Sequence, residues 1–197
     1  KEIEKLANQR LENCYLVGGI VRDLLLGIEN LDLDIVVEGD ALSFGAELAK
    51  NLDVLKIVNH ETFRTCIIIL KNGLNIDIAS SRIEYYEYPT SLPTVDIGNI
   101  KEDLYRRDFT INSMAVKLNF GEFGKLIDYY GGYSDLQAKK IRILHNLSFI
   151  EDPTRIIRAI RFAVRYDFNF EDETFNFMTQ AINDGFLNNL SWQRFKN

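Results

Sequence analysis

"CYLVGGIVRD", residues 14–23, decides how the rest of the chain is read. An apolar run ends in Gly18-Gly19, and an Arg22-Asp23 pair follows the next two apolar residues. Tyr15 to Val17 reads as a strand, and Val21 to Leu26 as a short helix stopped by Gly27. Glycines between a strand and a helix let the backbone come close to an anion, and the first helical turn offers it free N–H groups. Gly18 and Gly19 are therefore candidates for a phosphate cradle. Arg22, one turn into the helix, could reach the same phosphates or pair with Asp23.

Soon after comes "NLDLDIVV", residues 30–37, in which Leu31 to Val37 reads as a second strand. Side chains alternate along a strand, so Asp32 and Asp34 leave one face while Leu31, Leu33 and Ile35 leave the other. Two carboxylates on one face repel unless a cation lies between them. Hard oxygen ligands of this kind suit Mg²⁺, which completes its shell with substrate phosphates and water. Two solvated acids on an exposed edge strand are the alternative, but the flanking Leu, Ile and Val belong inside a sheet. In "LNIDIA", residues 74–79, Asp77 falls opposite Ile76 and Ile78 and is a candidate third acid. Three such acids on adjacent strands could hold two Mg²⁺ ions, one activating a hydroxyl and one clamping the leaving phosphates.

A coarse pass along the chain gives alternating helices and strands, then helices alone. Leu42 to Asn51 reads as an amphipathic helix, and Val54 to Val58, Thr65 to Leu70 and Leu74 to Ala79 as strands. Lys71-Asn72-Gly73 joins the last two as a hairpin turn. Pro89 to Gly98 marks a loop. From Ser148 the pattern is helical to the end, with Pro153 in a first turn.

With 46% apolar residues among 197, the chain can bury a substantial core. It has no apolar run long enough for a membrane span and no recognisable leader, so it reads as soluble and cytoplasmic, with no membrane partner. It starts at Lys1 without methionine and stops inside a helical pattern, as a fragment would. Cys14 and Cys66 sit in apolar strands and read as small hydrophobes. His60 and His145 have no metal-ligand spacing and read as structural or surface residues.

The net charge of −6 argues, taken alone, against a nucleic-acid partner, but its distribution does not. Residues 101–165 hold 12 Lys/Arg against 8 Asp/Glu, leaving 11 against 21 elsewhere. In "EDPTRIIRAIRFAVRY", residues 151–166, Arg158, Arg161 and Arg165 share a narrow sector of a helix, with Arg155 to one side. Ile156, Ile157, Ile160, Ala163 and Val164 take the opposite, packing side. Such a cationic face calls for an anion, a triphosphate or an RNA backbone. In "RRDFTIN", Arg106, Arg107 and Asp108 could form structural ion pairs instead of a ligand site.

Taken in order, "VGGIVRDLLLG", "DLDIVV", "RRDFTINSMAV" and "EDPTRIIRAIRFAVRY" make the chain resemble the head and neck of the bacterial class II tRNA nucleotidyltransferases and their poly(A) polymerase relatives, of the polymerase β superfamily. The resemblance implies an α+β fold: a nucleotidyltransferase head with a small mixed β-sheet flanked by helices, residues 1–147, followed by a helical neck, residues 148–197. It implies metal ligands at Asp32 and Asp34, triphosphate contacts near Gly19 and Arg22, and a nucleotide contact at Arg107 oriented by Asp108. It also implies a nucleotide pocket formed by Asp152, Arg155, Arg158 and Arg161.

The activity expected is Mg²⁺-dependent addition of C or A nucleotides, from CTP or ATP, to the tRNA 3′ end. A poly(A) polymerase, or a nucleotide-binding regulatory module descended from such enzymes, are the alternatives. The loop within Glu84 to Lys101, not obviously shortened, leans the expectation toward an ability to add A.

Overall fold

The structure, a computed structural model, describes residues 1–85, 87 and 94–189. Helix α1 (Glu2–Arg10), β1 (Cys14–Val17), α2 (Gly19–Leu25), β2 (Leu33–Val37) and α3 (Ala41–Ala49) come first. Strands β3 (Val54–His60), β4 (Thr65–Leu70), β5 (Asn75–Ser80), β6 (Arg82–Tyr85) and β7 (Thr94–Ile97) follow. Then come α4 (Ile100–Tyr105), β8 (Ala115–Lys117), β9 (Leu126–Ile127), α5 (Gly132–Gln137) and β10 (Lys140–Ile141). The last elements are α6 (Ser148–Glu151), α7 (Thr154–Tyr166), β11 (Asn169–Phe170) and α8 (Asp172–Asn183).

Seven strands form one mixed sheet in the order β3-β4-β5-β2-β1-β8-β9, in which only β2 and β5 run parallel. The alternation read from the sequence sorts their side chains. Ile35, Val37, Ile76 and Ile78 turn to one face, where Leu6 of α1 and Phe44 and Leu48 of α3 complete a core. Val36, Tyr15 and Val17 turn to the other, covered by Ile100 and Leu104 of α4. Asp34 and Asp77 lie directly opposite each other in the β2–β5 register. Each leaves its strand on the face away from the α1/α3 core, because that core takes their odd-even neighbours.

The hairpin at residues 71–73 is present: Gly73 adopts φ +87°, its N–H bonds Leu70 C=O at 3.0 Å, and Asn72 Oδ1 accepts from Leu74 N–H at 3.1 Å. Cys14 and Cys66 are buried free thiols, and burial pushes Cys14 up to about 12, which leaves it protonated and unreactive.

Several sequence expectations are corrected. Helix α2 begins at Gly19 rather than Val21, so the second glycine belongs to the helix. Strand β2 begins at Leu33, leaving Asp32 just before it. Helix α1 and the β6–β7 ribbon have no counterpart in the sequence reading. The helical run after Ser148 is interrupted by β11, which pairs in parallel with β10. On α7, Ile160 and Val164 are 48% and 80% exposed; of the expected packing side Ile156 and Ala163 do face the core, joined by Ala159. The loop within Glu84 to Lys101 lies partly outside the described residues; its described parts include β6 and β7. The end of the chain, residues 190–197, lies outside them too.

The third apolar cluster runs from Ile20 and Val21 of α2 through Phe109 and Met114 to Phe149, Ile156 and Met178. Residues before and after position 147 thus share one core. That sharing fixes the distance between α7 and the start of the sheet, where the site lies.

Candidate active site

A cleft of about 750 Å³ opens between the end of β1, the start of β2 and one face of α7. Of the sequence-derived candidates, Gly18, Gly19, Arg22, Asp32, Asp34, Arg107, Asp108, Asp152, Arg155 and Arg158 line it. Asp77 does not. It lines an adjoining recess of about 250 Å³ that shares Asp34 and Arg107 with the cleft. Arg161 lines neither; it lies with Ile160 and Val164 around a recess on the outer side of α7.

Gly18 is the meeting point. Its φ of +75° suits glycine, and a Cβ there would lie 3.0 Å from Arg107 Nη1 and 3.8 Å from Asp34 Oδ2. Any side chain would push the arginine away from the acid. The bare backbone is thus what allows a cation and a carboxylate to approach the same point.

The three acids form one electrostatic group. Burial, then Asp77 and Asp32, push the Asp34 carboxyl above the usual carboxylate range, against the pull of Arg107. Burial and Asp32 push Asp77 up as well. Among the described residues no three His, Cys, Asp or Glu side chains are gathered into a ready-made metal cage. Two mutually repelling carboxylates with room beside them fit a hard divalent cation that takes its remaining ligands from phosphate and water.

The arginines are held differently. Asp103, fully buried on α4, takes Arg106 on Oδ1 at 2.7 Å and Arg107 on Oδ2 at 2.8 Å. Burial raises the Asp103 carboxyl, but Arg107 and Arg106 outweigh it and hold it below its ordinary value. Asp108 accepts Arg158 Nε and Nη2 on Oδ2 at 2.8 and 2.6 Å, and Asn112 Nδ2 on Oδ1 at 2.9 Å. The expectation that Asp108 orients Arg107 is therefore corrected: Asp103 does so, and Asp108 orients Arg158.

Arg155 is buried; it donates to Ser148 Oγ at 2.7 Å and to the Arg106 carbonyl at 2.8 Å. Beside it, Asp152 Oδ1 accepts from the Thr154 N–H and hydroxyl at 3.1 and 2.6 Å, turning the chain into α7.

Arg22 answers the question its position raised. Its guanidinium bonds Asp23 Oδ1 at 2.8 Å, donates to Asn112 Oδ1, and lies over the rings of Phe162 and Tyr166, 5.1 and 4.6 Å from their centroids. It walls the cleft and ties the glycine turn to α7. The sequence reading missed Asp103, Asn112, Asn30 and Tyr166. For Asp103 a signal existed in "DLYRR", an acid three and four residues before two arginines on one helix face.

The model of the poly A polymerase head domain matches residues 14–142. The chain belongs to that family. Its head-domain match spans both the glycine turn and the Asp103–Arg107 clamp. An A-adding tRNA nucleotidyltransferase of Geobacter sulfurreducens is 51% identical over the whole chain, which spans 22% of that relative. A solved CCA-adding enzyme in an apo form superposes with a TM-score of 0.93 at 52% identity, over 98% of this chain and 46% of that one. A CCA-adding enzyme in complex with ATP superposes at 0.87 with 50% identity, over 98% of this chain and 43% of that one. The chain thus spans less than half the length of these relatives.

Proposed function

We propose that this chain is the catalytic head, residues 1–147, and the nucleotide-selecting neck, residues 148–197, of a tRNA nucleotidyltransferase. It transfers C or A from CTP or ATP to the 3′-hydroxyl of tRNA and releases pyrophosphate. The supporting observation is the cleft that gathers the acids at the start of β2 with the arginines after α4 and on α7, where Arg107 and Asp34 close in on a side-chain-free Gly18. Relatives with A-adding and CCA-adding names stand at 51 and 52% identity, so the reading is kept at addition of C, A or both. A tRNA substrate makes the cytoplasm its place of work.

In this reading Asp32 and Asp34 hold Mg²⁺, with Asp77 across the register as a third acid. The ion supplies charge compensation for the phosphates and lowers the pKa of an attacking hydroxyl. Gly18 and Gly19 let the triphosphate approach the backbone, and Arg107 meets it from the turn after α4. Asp152 and Arg155 face the base, and Arg158 adds positive charge beside them; Arg161 lies outside the cleft. The 3′-oxygen attacks the α-phosphorus, and the bond to the β-phosphate oxygen breaks.

The test is pyrophosphate release by the full-length protein with ATP and CTP separately, on tRNAs ending before each terminal position. Release on truncated tRNA, lost in Asp32→Asn, is the expected result. Use of ATP alone on varied RNA ends would identify a poly(A) polymerase. Nucleotide binding without turnover would identify a regulatory module.

A further inference from the structure

Asp32 stands outside the ladder of β2, which begins at Leu33, so the sheet alone does not set its backbone. A short chain of hydrogen bonds reaches it instead. Asn30 Oδ1 accepts from the Asp32 N–H at 2.9 Å, and Asn30 Nδ2 donates to Asp23 Oδ2 at 2.8 Å. Asp23, 1% exposed, uses its other oxygen to accept Arg22 Nε at 2.8 Å and the hydroxyl of Tyr166 at 2.9 Å. Tyr166 is the last residue of α7. One line of contacts therefore leads from the end of that helix, through a buried carboxylate and a carboxamide, to the backbone of Asp32.

The chemistry of each group fixes this line in one orientation. A carboxylate can only accept and a backbone N–H can only donate, so the Asn30 amide nitrogen must face Asp23 and its oxygen must face Asp32. Neither Asp nor Leu at position 30 could serve both ends. Against Asp23 lies Arg22 at 2.8 Å, itself covered by the Tyr166 and Phe162 rings. The same tyrosine thus supports the line twice, by its hydroxyl and by its face.

We propose that Asn30 and Asp23 are positioning residues for Asp32, and that Tyr166 makes the placement of this carboxylate depend on the docking of α7 against the head. The inference rests on the reading of Asp32 as a cation ligand. In this proposal the three act through Asp32. They act by holding the loop before β2 so that the carboxylates of Asp32 and Asp34 face the same space.

The test uses Mn²⁺ titration followed by electron paramagnetic resonance, together with transfer kinetics, on Tyr166→Phe, Asn30→Ala, the double variant, and Asp32→Asn. Outer partners of metal ligands are worth about 10- to 100-fold, so Asn30→Ala should weaken Mn²⁺ binding and lower kcat about tenfold, with KM for ATP within about twofold. Tyr166→Phe, which loses one hydroxyl and keeps the ring, should lose about threefold in both. Because its effect passes through Asn30, the double variant should be no worse than Asn30→Ala alone. Losses that multiply, or an Asn30→Ala protein with Mn²⁺ affinity and kcat within about twofold of the parent, would overturn the inference while leaving Asp32 as a ligand. Asp32→Asn with undiminished Mn²⁺ affinity and transfer would overturn both. Should Asn30→Ala fail to fold, the milder Tyr166→Phe decides by the same readouts: a parental Mn²⁺ affinity and kcat would count against the proposal.

Discussion

The two walls of the cleft are built on opposite terms. On the side of α7 and the turn after α4, every cleft arginine described above already has a protein acceptor: Arg107 on Asp103, Arg158 on Asp108, Arg155 on Ser148 and the Arg106 carbonyl. On the sheet side, the Asp32, Asp34 and Asp77 carboxylates have no hydrogen bond or ion pair to a described side chain. Burial and their mutual repulsion raise the carboxyls of Asp34 and Asp77. The cations are positioned in advance, whereas the acids are left for a ligand to compensate. Function at this site therefore costs the fold stability on one wall and is supported by ion pairs on the other.

The largest expected effect breaks the acidic wall. Asp34→Asn should lower transfer by on the order of 10³-fold or more, while ATP binding stays within about tenfold, because the arginine wall does not depend on it. The same change should raise the melting temperature measured without divalent cations. A carboxylate whose folded pKa is raised binds protons more tightly folded than unfolded, so its cost appears as pH rises through that window. The gain of the variant over the parent should accordingly vanish below about pH 4. An unchanged melting temperature at neutral pH would mean that the two walls do not differ as described.

The next effect breaks the other wall. Asp103→Asn leaves two guanidiniums without their shared anion, and loss of one partner of a buried pair costs about 3–5 kcal/mol. Here the sign is reversed. The folded Asp103 carboxyl is lowered, so its contribution is present above the ordinary carboxylate value and lost as pH falls through the folded one. Denaturant unfolding at neutral pH should show a large loss in Asp103→Asn and a gain in Asp34→Asn. Losses in both would remove the contrast.

A smaller effect concerns selectivity rather than rate. Adenine and cytosine each present a donor beside an acceptor, which an accepting Asp152 and a donating Arg155 match, and uracil and guanine reverse that pattern. Asp152→Ala should narrow the preference for ATP and CTP over UTP and GTP by at least about tenfold, whereas Arg158→Ala, removing positive charge together with its pair to Asp108, should weaken all four alike. Measuring kcat/KM for the four nucleotides decides it. Undiminished selectivity in Asp152→Ala would put the selecting groups elsewhere.

What could be read from the sequence was whatever repeats with a period or breaks one. Gly18-Gly19 at a strand end, the DLD alternation and the Asp77 position are of this kind, and the β2–β5 register joins the last two. The faces of α7 were read less well, because Ile157, Ile160 and Val164 form an apolar strip as regular as the true packing face. Two-residue strands such as β10 and β11 carry no period, and only tertiary contact defines them. The partners of the arginines lay further out of reach. Asp23 and Tyr166 are 143 positions apart and Asp108 and Arg158 50, and pairing at such separations is a property of the fold.

The most local effect lies behind the arginine wall. His145 packs against Tyr105, with ring centroids 5.3 Å apart, in a recess of about 620 Å³ that shares Arg155 with the cleft. Burial, and after it the charge of Arg155, push the imidazole down to about 4, so it is neutral at physiological pH even with Glu151 3.4 Å from its Nε2. An unfolded histidine protonates near pH 6.5, and a folded one that does so only near 4 makes the fold lose stability as pH falls between these values. His145→Phe keeps the ring contact and removes the titration. It should flatten the stability profile across that window, a change on the order of 3 kcal/mol at its acid end. If the arginine wall contributes as described, Arg155→Met should move the His145 pKa upward, measured by the pH dependence of its ring proton resonance. A resonance that does not shift would assign the depression to burial alone and limit the reach of that wall to the cleft itself.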